Sequence, residues 1–285
     1  MKASTVFVEV DLRVWSIHAD KKQNFQRGLL MVGLRVLSSV AIGLAATTFS
    51  ALGLSQQAVA SCVAQGLNPC SGGGYTASTT NYTFNNISTS LTATRILANA
   101  NTGAESVNVG FNFNFFGSNY SSLFASTNGT LAFGTANVDN INRDLETDPI
   151  TRYNAPTIAV LWDAWTFKPK PGAVTDALYY QTSGAVGSRQ FTVQWNQAAS
   201  KFADAPTGTV TFQAVLFENS NNIVFSYLDT FLATGTPENF GAGSTVGIRN
   251  TNGNVNGQRL EWSYNTPFSS YELLPSQSIL FSKTP

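Results

Sequence analysis

The feature that most constrains the fold is a strict alternation of apolar and polar residues in "ESVNVGFNFNFFG", residues 105–117. The apolar positions are Val107, Val109, Phe111, Phe113 and Phe115. Successive side chains of a β-strand point to opposite faces, so a period of two predicts a strand with one buried face. These five side chains are therefore expected to point into a hydrophobic core.

Similar short strand patterns recur along the chain after residue 61, and helix-period segments are nearly missing. The stretches are "SSLFAS", "TLAFG", "APTIAVLWDAW", "ALYYQ", "RQFTVQWN", "TVTFQAVLFENSNNIVFSYLD", "STVGIRN", "LEWSY" and "SILFS". Short strands separated by Gly, Asn and Ser turns are typical of antiparallel sandwiches and barrels. We predict an all-β, antiparallel two-sheet β-sandwich of about ten to twelve strands. The dense apolar run from Pro156 predicts a central strand that is buried on both faces.

A tight hairpin is predicted between "SSLFAS" and "TLAFG". The pair Asn128-Gly129 supplies two residues that tolerate positive φ, as a short hairpin turn requires. Turn chemistry alone accounts for this pair, and no further role is needed to explain it.

Residues 1–60 are predicted to be a presequence that carries a secretory signal. Basic residues precede an uncharged segment from Val36 to Leu54, and Ala58-Val59-Ala60 fits a small-residue cleavage site. An uncleaved membrane anchor is the alternative, because the segment approaches the length that spans a bilayer. Since residues 1–30 are unusual for the start of a signal, Met31 is a candidate for the true start.

The chain after residue 60 has 225 residues, enough for one large β domain. Residues 61–80 are expected to form a disulfide loop, closed by Cys62 and Cys70, and a polar linker. Residues 81–285 are expected to form the sandwich, with its first strands near "NYTF" and "TATRIL".

Charge and histidine content exclude several classes of function. After residue 60, ten Lys and Arg face thirteen Asp and Glu, a balance that argues against nucleic acid and anionic membranes as partners. The only histidine, His18, lies in the presequence. Serine and cysteine triads, histidine-ligated zinc and histidine proton shuttles are therefore excluded in the processed protein. Enzymatic activity would have to rest on carboxylates.

The order of the motifs resembles that of the nidogen-like extracellular domain, found also in exported bacterial surface proteins. The matching stretches are the Phe-rich strand ending in "FFG", "STNGTLAFG", "APTIAVLWDAW", "ALYYQ", "RQFTVQWN" and "TFQAVLF", within residues 105–250. The resemblance implies an extracellular, non-enzymatic β domain with an adhesive or scaffolding role. It implies no catalytic residues.

The first candidate binding site is "LWDAW", in which Asp163 lies between Trp162 and Trp165. Indole rings can stack on sugar faces while a carboxylate accepts hydrogen bonds from hydroxyl groups. The structural alternative is that the indoles belong to the core and that Asp163 caps a neighbouring loop.

The second candidate is an acidic loop within "DNINRDLETDP". Its carboxylates are Asp139, Asp144, Glu146 and Asp148. Closely spaced oxygen ligands can hold calcium, although the spacing matches no known calcium-loop pattern. A solvated acidic loop, partly neutralised by arginines, is the alternative. Calcium is the one cofactor that the sequence suggests.

The third candidate is a pair of carboxylates for glycoside hydrolysis. The available residues are Asp163, Glu218, Asp229 and Glu261. Hydrolysis requires two carboxyl groups that face each other across a cleft.

The sequence thus favours a secreted or cell-surface adhesion or structural module, with an extracellular protein or glycan as partner. No membrane insertion is expected after cleavage of the signal. A carbohydrate-binding lectin is the main alternative, and a glycosidase is the weaker one.

Overall fold

The computed structural model describes residues 61–62, 65, 67–145, 155–168, 176–201, 208–233, 239–251, 257–265 and 273–285. The predicted presequence, residues 1–60, lies outside this part of the chain. No helix in the described part is long and apolar enough to cross a membrane.

The described residues form fifteen strands and one 3₁₀ turn, Asn239–Gly241. The strands are β1 (Cys70–Gly72), β2 (Tyr75–Thr80), β3 (Thr94–Ile96), β4 (Ala104–Phe115), β5 (Ser118–Ser126), β6 (Thr130–Ala132), β7 (Thr157–Trp162), β8 (Trp165–Thr166), β9 (Ala177–Ser183), β10 (Gln190–Ser200), β11 (Val210–Phe217), β12 (Ile223–Asp229), β13 (Thr245–Arg249), β14 (Arg259–Tyr264) and β15 (Gln277–Lys283). The all-β prediction is confirmed. The strand count exceeds the predicted range because the sequence patterns did not reveal β1, β2 or the two-residue β8.

The strands build two antiparallel sheets. The larger sheet has nine strands in the order β1-β2-β15-β12-β11-β10-β9-β3, with β8 paired to β10 outside this path. The smaller sheet has six strands in the order β14-β13-β7-β6-β5-β4. In the larger sheet the early strand β2 pairs with the last strand β15, with Tyr75 opposite Lys283 and Thr80 opposite Ser278.

The interior between the sheets is filled by the apolar positions of the alternating strands. All five predicted inward residues of β4 are buried, and Phe113 and Phe115 are fully inaccessible. They belong to one hydrophobic cluster with residues of the larger sheet, including Trp195 and Phe212, whose rings stack with centroids 4.9 Å apart. The face-to-face packing of two pleated layers, predicted from the alternation, is confirmed.

The central strand β7 is buried on both faces, as its continuous apolar sequence predicted. Ile158 and Val160 point into the core between the sheets, whereas Ala159 and Trp162 lie on the opposite face with Leu145. The chain around Leu145 thus covers part of the outer face of the smaller sheet. A strand enclosed in this way needs apolar residues at most positions, and its one polar residue, Thr157, donates a hydrogen bond to Ala155 O.

The outer face of the larger sheet is covered by an extended segment, residues 81–93, which we call the strap. Gln194 points outward from β10 and is nevertheless fully buried, because the strap passes over it. Its Oε1 accepts a hydrogen bond from the backbone N–H of Ile87 at 2.9 Å, and its Nε2 donates to Asn86 Oδ1 at 2.8 Å. The Gln194 side chain therefore supplies the strap with hydrogen bonds that a neighbouring strand would otherwise provide.

The strap makes similar contacts with neighbouring strands. The Gln213 amide of β11, oriented so that donors meet acceptors, pairs with both backbone groups of Asn85. The backbone N–H of Thr83 donates to Ser278 Oγ of β15 at 3.2 Å. The predicted strand at "NYTF" is therefore part of the strap, whereas "TATRIL" contains β3 as expected.

The segment before the strap differs from the linker that was predicted for residues 61–80. Cys62 and Cys70 form a disulfide, and the backbone N–H of Cys62 donates to Glu261 O at 3.0 Å. Strands β1 and β2 follow directly and belong to the nine-stranded sheet. Strand β1 has three residues and β2 has only Tyr75 and Ala77 as buried apolar residues, so the apolar pattern was too short to predict a strand.

Candidate functional site

The turn between β5 and β6 lies inside the protein and fits closely against β7. Asn128 is fully buried, and Gly129 alone of the predicted pair has a positive φ, 82°. The prediction that Asn128 also adopts positive φ was wrong. A Cβ on Gly129 would lie 2.0 Å from Leu161 O, and Gly129 O accepts the N–H of Val160 at 3.0 Å. The glycine is therefore required by a close backbone approach as well as by the turn.

The Asn128 side chain is the centre of a buried hydrogen-bond network. Its Nδ2 donates to Asn137 Oδ1 at 3.3 Å and to Asp139 O at 2.6 Å, while its Oδ1 accepts from Thr130 Oγ1 at 2.7 Å. Its backbone oxygen accepts the N–H of Asp163 at 3.0 Å. We call these five residues the polar junction. It connects the β5–β6 turn, the loop after β6 and the end of β7.

Both tryptophans of "LWDAW" are buried. Trp162 is 1% exposed and its Nε1 donates to Asp139 O at 2.9 Å. Trp165 is fully buried and its Nε1 donates to Leu161 O at 2.7 Å. Neither indole presents a face to solvent, so neither can stack on a sugar ring in this structure. The geometry gives the sugar-platform hypothesis no support and corresponds to the structural alternative.

Asp163 caps neighbouring backbone, as that alternative stated. Its Oδ1 accepts the N–H of Ala164 at 2.7 Å, and its Oδ2 accepts from Ser244 Oγ at 3.1 Å. The side chain is buried at the junction of β7, β8 and the segment before β13. A carboxylate satisfied in this way positions loops.

The acidic loop is described only in part. Asp139 Oδ1 accepts the N–H of Ile141 at 3.0 Å, and Asp139 Oδ2 lies 3.8 Å from Arg143 Nη2. Asp144 is half-buried, whereas Glu146 and Asp148 lie outside the described residues. Among the residues that the structure describes, no three His, Cys, Asp or Glu side chains are grouped so that they could hold a metal. Calcium binding by the whole loop stays a prediction.

Glu218 is held by Arg189 at the end of the β10–β11 pair. The Arg189 Nε donates to Glu218 Oε2 at 2.8 Å and Nη2 donates to Oε1 at 2.5 Å. The backbone N–H groups of Gly187 and Arg189 also donate to Oε2, at 2.8 and 3.0 Å. Hydrogen bonds from the Arg189 side chain, supported by these backbone donors, lower the pKa of Glu218 from 4.5 to about 2.

The other two carboxylates proposed for hydrolysis also bind backbone. Glu261 Oε2 accepts the N–H of Leu145 at 2.8 Å, and Asp229 Oδ1 accepts the N–H of Phe231 at 2.9 Å. Glu261 also lines a pocket of about 240 Å³ beside the disulfide, together with Leu67, Arg259 and Leu260. This volume is below the range of about 300 to 1,000 Å³ that is usual for small-molecule sites.

Two groups of residues that organise the protein were not predicted from the sequence. Gln194 and Gln213 lie on the outward face of the larger sheet and are nevertheless buried, because alternation gives the direction of a side chain and not what covers it. The Arg189–Glu218 pair could have been found from the hairpin alignment. Gln190 lies opposite Phe217 in the β10–β11 register, which places Arg189 opposite Glu218.

Comparison with known proteins gives one family match. Residues 74–278 match the family described as NIDO related. No curated protein and no solved structure gives a significant match. The matched region begins just before β2 and ends within β15, so it includes the whole six-stranded sheet and the nine-stranded sheet without β1 and most of β15. The family match and the disulfide indicate an extracellular domain, and the resemblance seen in the sequence is confirmed: the chain belongs to the NIDO-related family.

Proposed function

We propose that this chain is an exported, non-enzymatic adhesion or structural module that acts at the cell surface or in the extracellular matrix. Membership of the NIDO-related family supports an extracellular role. The small disulfide between Cys62 and Cys70 suits an oxidising compartment. The partner in this proposal is an extracellular protein or glycan.

The observation that carries the proposal is the structural use of the carboxylates that were considered for hydrolysis. Asp163, Glu218 and Glu261 each accept hydrogen bonds from backbone N–H groups of neighbouring loops. A hydrolase needs carboxylates that point at a substrate cleft and are free to exchange protons. Carboxylates that hold loops in place through hydrogen bonds instead support a structural role for the domain.

Export itself is part of the proposal. A secretory signal within residues 1–60, cleaved after Ala60, would place Ser61 at the new N-terminus. We expect N-terminal sequencing and intact-mass measurement of the exported protein to find Ser61 first. A product that retains Val36–Leu54 would show that the segment is an anchor.

The test of function is a binding assay with the exported, processed protein. Arrays of extracellular matrix proteins and of glycans are probed in calcium and again in a calcium chelator, and the glycans are then analysed for cleavage. We expect a saturable partner and intact glycans. Cleaved glycan would overturn the non-enzymatic assignment, and binding that is lost with the chelator would show that binding requires calcium.

A matched pair of variants sharpens the assay. Ile141 is 58% exposed on the loop that contains the polar junction, and Leu91 is exposed on the strap over the other sheet. Ile141→Asn and Leu91→Asn make the same chemical change on opposite faces of the sandwich. If the partner binds the face of the protein that carries Ile141, we expect Ile141→Asn to weaken binding and Leu91→Asn to leave it unchanged.

A further inference from the structure

Strand β4 is an edge strand whose own sequence gives it little protection. It is the last strand of the six-stranded sheet and runs for twelve residues, "AESVNVGFNFNF". Glu105 is its one charged residue, and it contains no Pro and no Lys. Long edge strands with alternating apolar residues and low charge pair readily with other chains.

The middle of β4 departs from regular pairing. The register passes from Asn108 opposite Ser122 to Phe113 opposite Tyr120. The four intervening residues, 109–112, therefore face a single residue of β5. Gly110, with φ of 85°, lies within this bulge. A bulge leaves backbone groups without ladder partners and turns them in new directions.

Side chains of the opposite sheet bind the carbonyl groups of the bulge. Thr182 Oγ1 of β9 donates to Val109 O at 2.8 Å. Arg189 Nη1 donates to Gly110 O at 2.5 Å, and its guanidinium carbon lies 5.5 Å from the centre of the Phe111 ring. The Gly110 carbonyl, which lies in the part of β4 that has no regular partner in β5, is thus bound by a cation that comes from the larger sheet.

Glu218 fixes that cation in place. Its two carboxylate oxygens accept hydrogen bonds from Nε and Nη2 of Arg189, so that Nη1 is available to donate to Gly110 O. Such a bidentate pair holds the guanidinium in one orientation. The contact of Arg189 with β4 is therefore organised in advance by a residue that does not touch β4.

A second cation protects the end of the same strand. Lys283 Nζ of β15 donates to Asn114 Oδ1, and the backbone N–H of Asn114 donates to Asn221 Oδ1 at 2.7 Å. Both contacts again come from the nine-stranded sheet. The part of β4 from Val109 to Asn114 is thus bound by side chains of the opposite layer.

We propose that Arg189, oriented by Glu218, guards the β4 edge against antiparallel pairing with β4 of a second copy of this chain. A second β4 could pair at Gly110 only by displacing the guanidinium, which would lose its hydrogen bond to Gly110 O and its position over the Phe111 ring. The same displacement would be needed in both copies, because a two-fold pairing uses the same residues twice. Charged groups at sheet edges prevent association in this way.

The test compares Arg189→Met with Lys168→Met in the processed protein. Both changes remove one positive charge and keep a long apolar side chain, and Lys168 is an exposed residue outside the contacts described for the β4 bulge. Self-association is measured by sedimentation velocity over a concentration series. We expect Arg189→Met to associate roughly tenfold more strongly than wild type, while Lys168→Met does not. A folded Arg189→Met protein with unchanged association would overturn the proposal.

Two further measurements locate the contact. Hydrogen exchange of residues 104–115 is expected to slow in the Arg189→Met dimer, and adding Asn112→Lys on the exposed side of β4 is expected to restore the monomer. Association without protection of β4, or without this rescue, would assign Arg189 a purely structural role. If Arg189→Met does not fold, Glu218→Gln is measured in its place. Stronger self-association of Glu218→Gln than of wild type would support the proposal, and unchanged self-association would reject it.

Discussion

The interior between the two sheets and the covers on their outer faces are built by different means. The interior is apolar and is filled by every second side chain of strands such as β4 and β10. The covers are the strap over the larger sheet and the polar junction on the smaller one, and both depend on side-chain amides that bind distant backbone. Burial of apolar side chains stabilises the interior, whereas directional hydrogen bonds hold the two covers in place.

The interior is expected to give the largest loss of stability when it is truncated. Phe113→Ala removes a fully buried ring that packs near Phe115 and Phe133. We expect a loss of about 3 to 5 kcal/mol in the free energy of unfolding. Asn112→Ala, on the exposed face of the same strand, is expected to change it by less than about 0.5 kcal/mol. Equal effects, measured by denaturant titration, would contradict the assignment of the two faces.

The turn that carries Asn128 of the polar junction is tested by two glycines that have a similar positive φ. Gly129 and Gly134 have φ of 82° and 84°, but only Gly129 would place a Cβ against backbone, at Leu161 O. Gly134→Ala carries the penalty of the left-handed conformation alone, about 1 to 2 kcal/mol. Gly129→Ala adds a clash and is expected to cost about 2 to 4 kcal/mol. Equal losses of thermal stability would show that the turn does not lie against β7.

The strap is tested through the glutamine beneath it. Gln194→Ala leaves the N–H of Ile87 without its acceptor, and we expect a loss of about 1 to 3 kcal/mol with faster hydrogen exchange across the strap. Gln190 lies four residues earlier on the same face of β10 and is exposed. Gln190→Ala is expected to leave both quantities unchanged. Unaltered exchange at Ile87 in Gln194→Ala would mean that the strap is held by other contacts.

The smallest effect on the free energy of unfolding is expected at the Arg189–Glu218 pair, which lies outside both the interior and the covers. Because the pKa of Glu218 is lowered from 4.5 to about 2 in the folded protein, its contribution is complete above pH 4.5 and is lost as the pH falls towards 2. The difference in unfolding free energy between wild type and Glu218→Gln should follow that course. In an Arg189→Met background the pH dependence should shrink, and its persistence would assign it to other carboxylates.

The interior of the sandwich could be predicted from the sequence, whereas the covers on its outer faces could not. The buried residues of β4 and the enclosed strand β7 follow from periodicity, since alternation and continuous apolar runs are local properties. The roles of Asn128 and Gln194 depend on backbone that lies far away in sequence, so no local pattern distinguishes them from exposed polar residues. Trp162 and Asp163 were singled out for unusual chemistry, and they instead join a loop to the sheet.

The pairing of β2 with β15 has a mechanical consequence. These strands are antiparallel, with Tyr75 opposite Lys283, and the backbone N–H of Thr284 donates to Gly74 O at the same end of the pair. Tension applied at Gly74 and at Thr284 would therefore open this pair rung by rung, as in unzipping, instead of shearing all its rungs together. A low and gradual resistance to pulling is expected from that corner of the larger sheet.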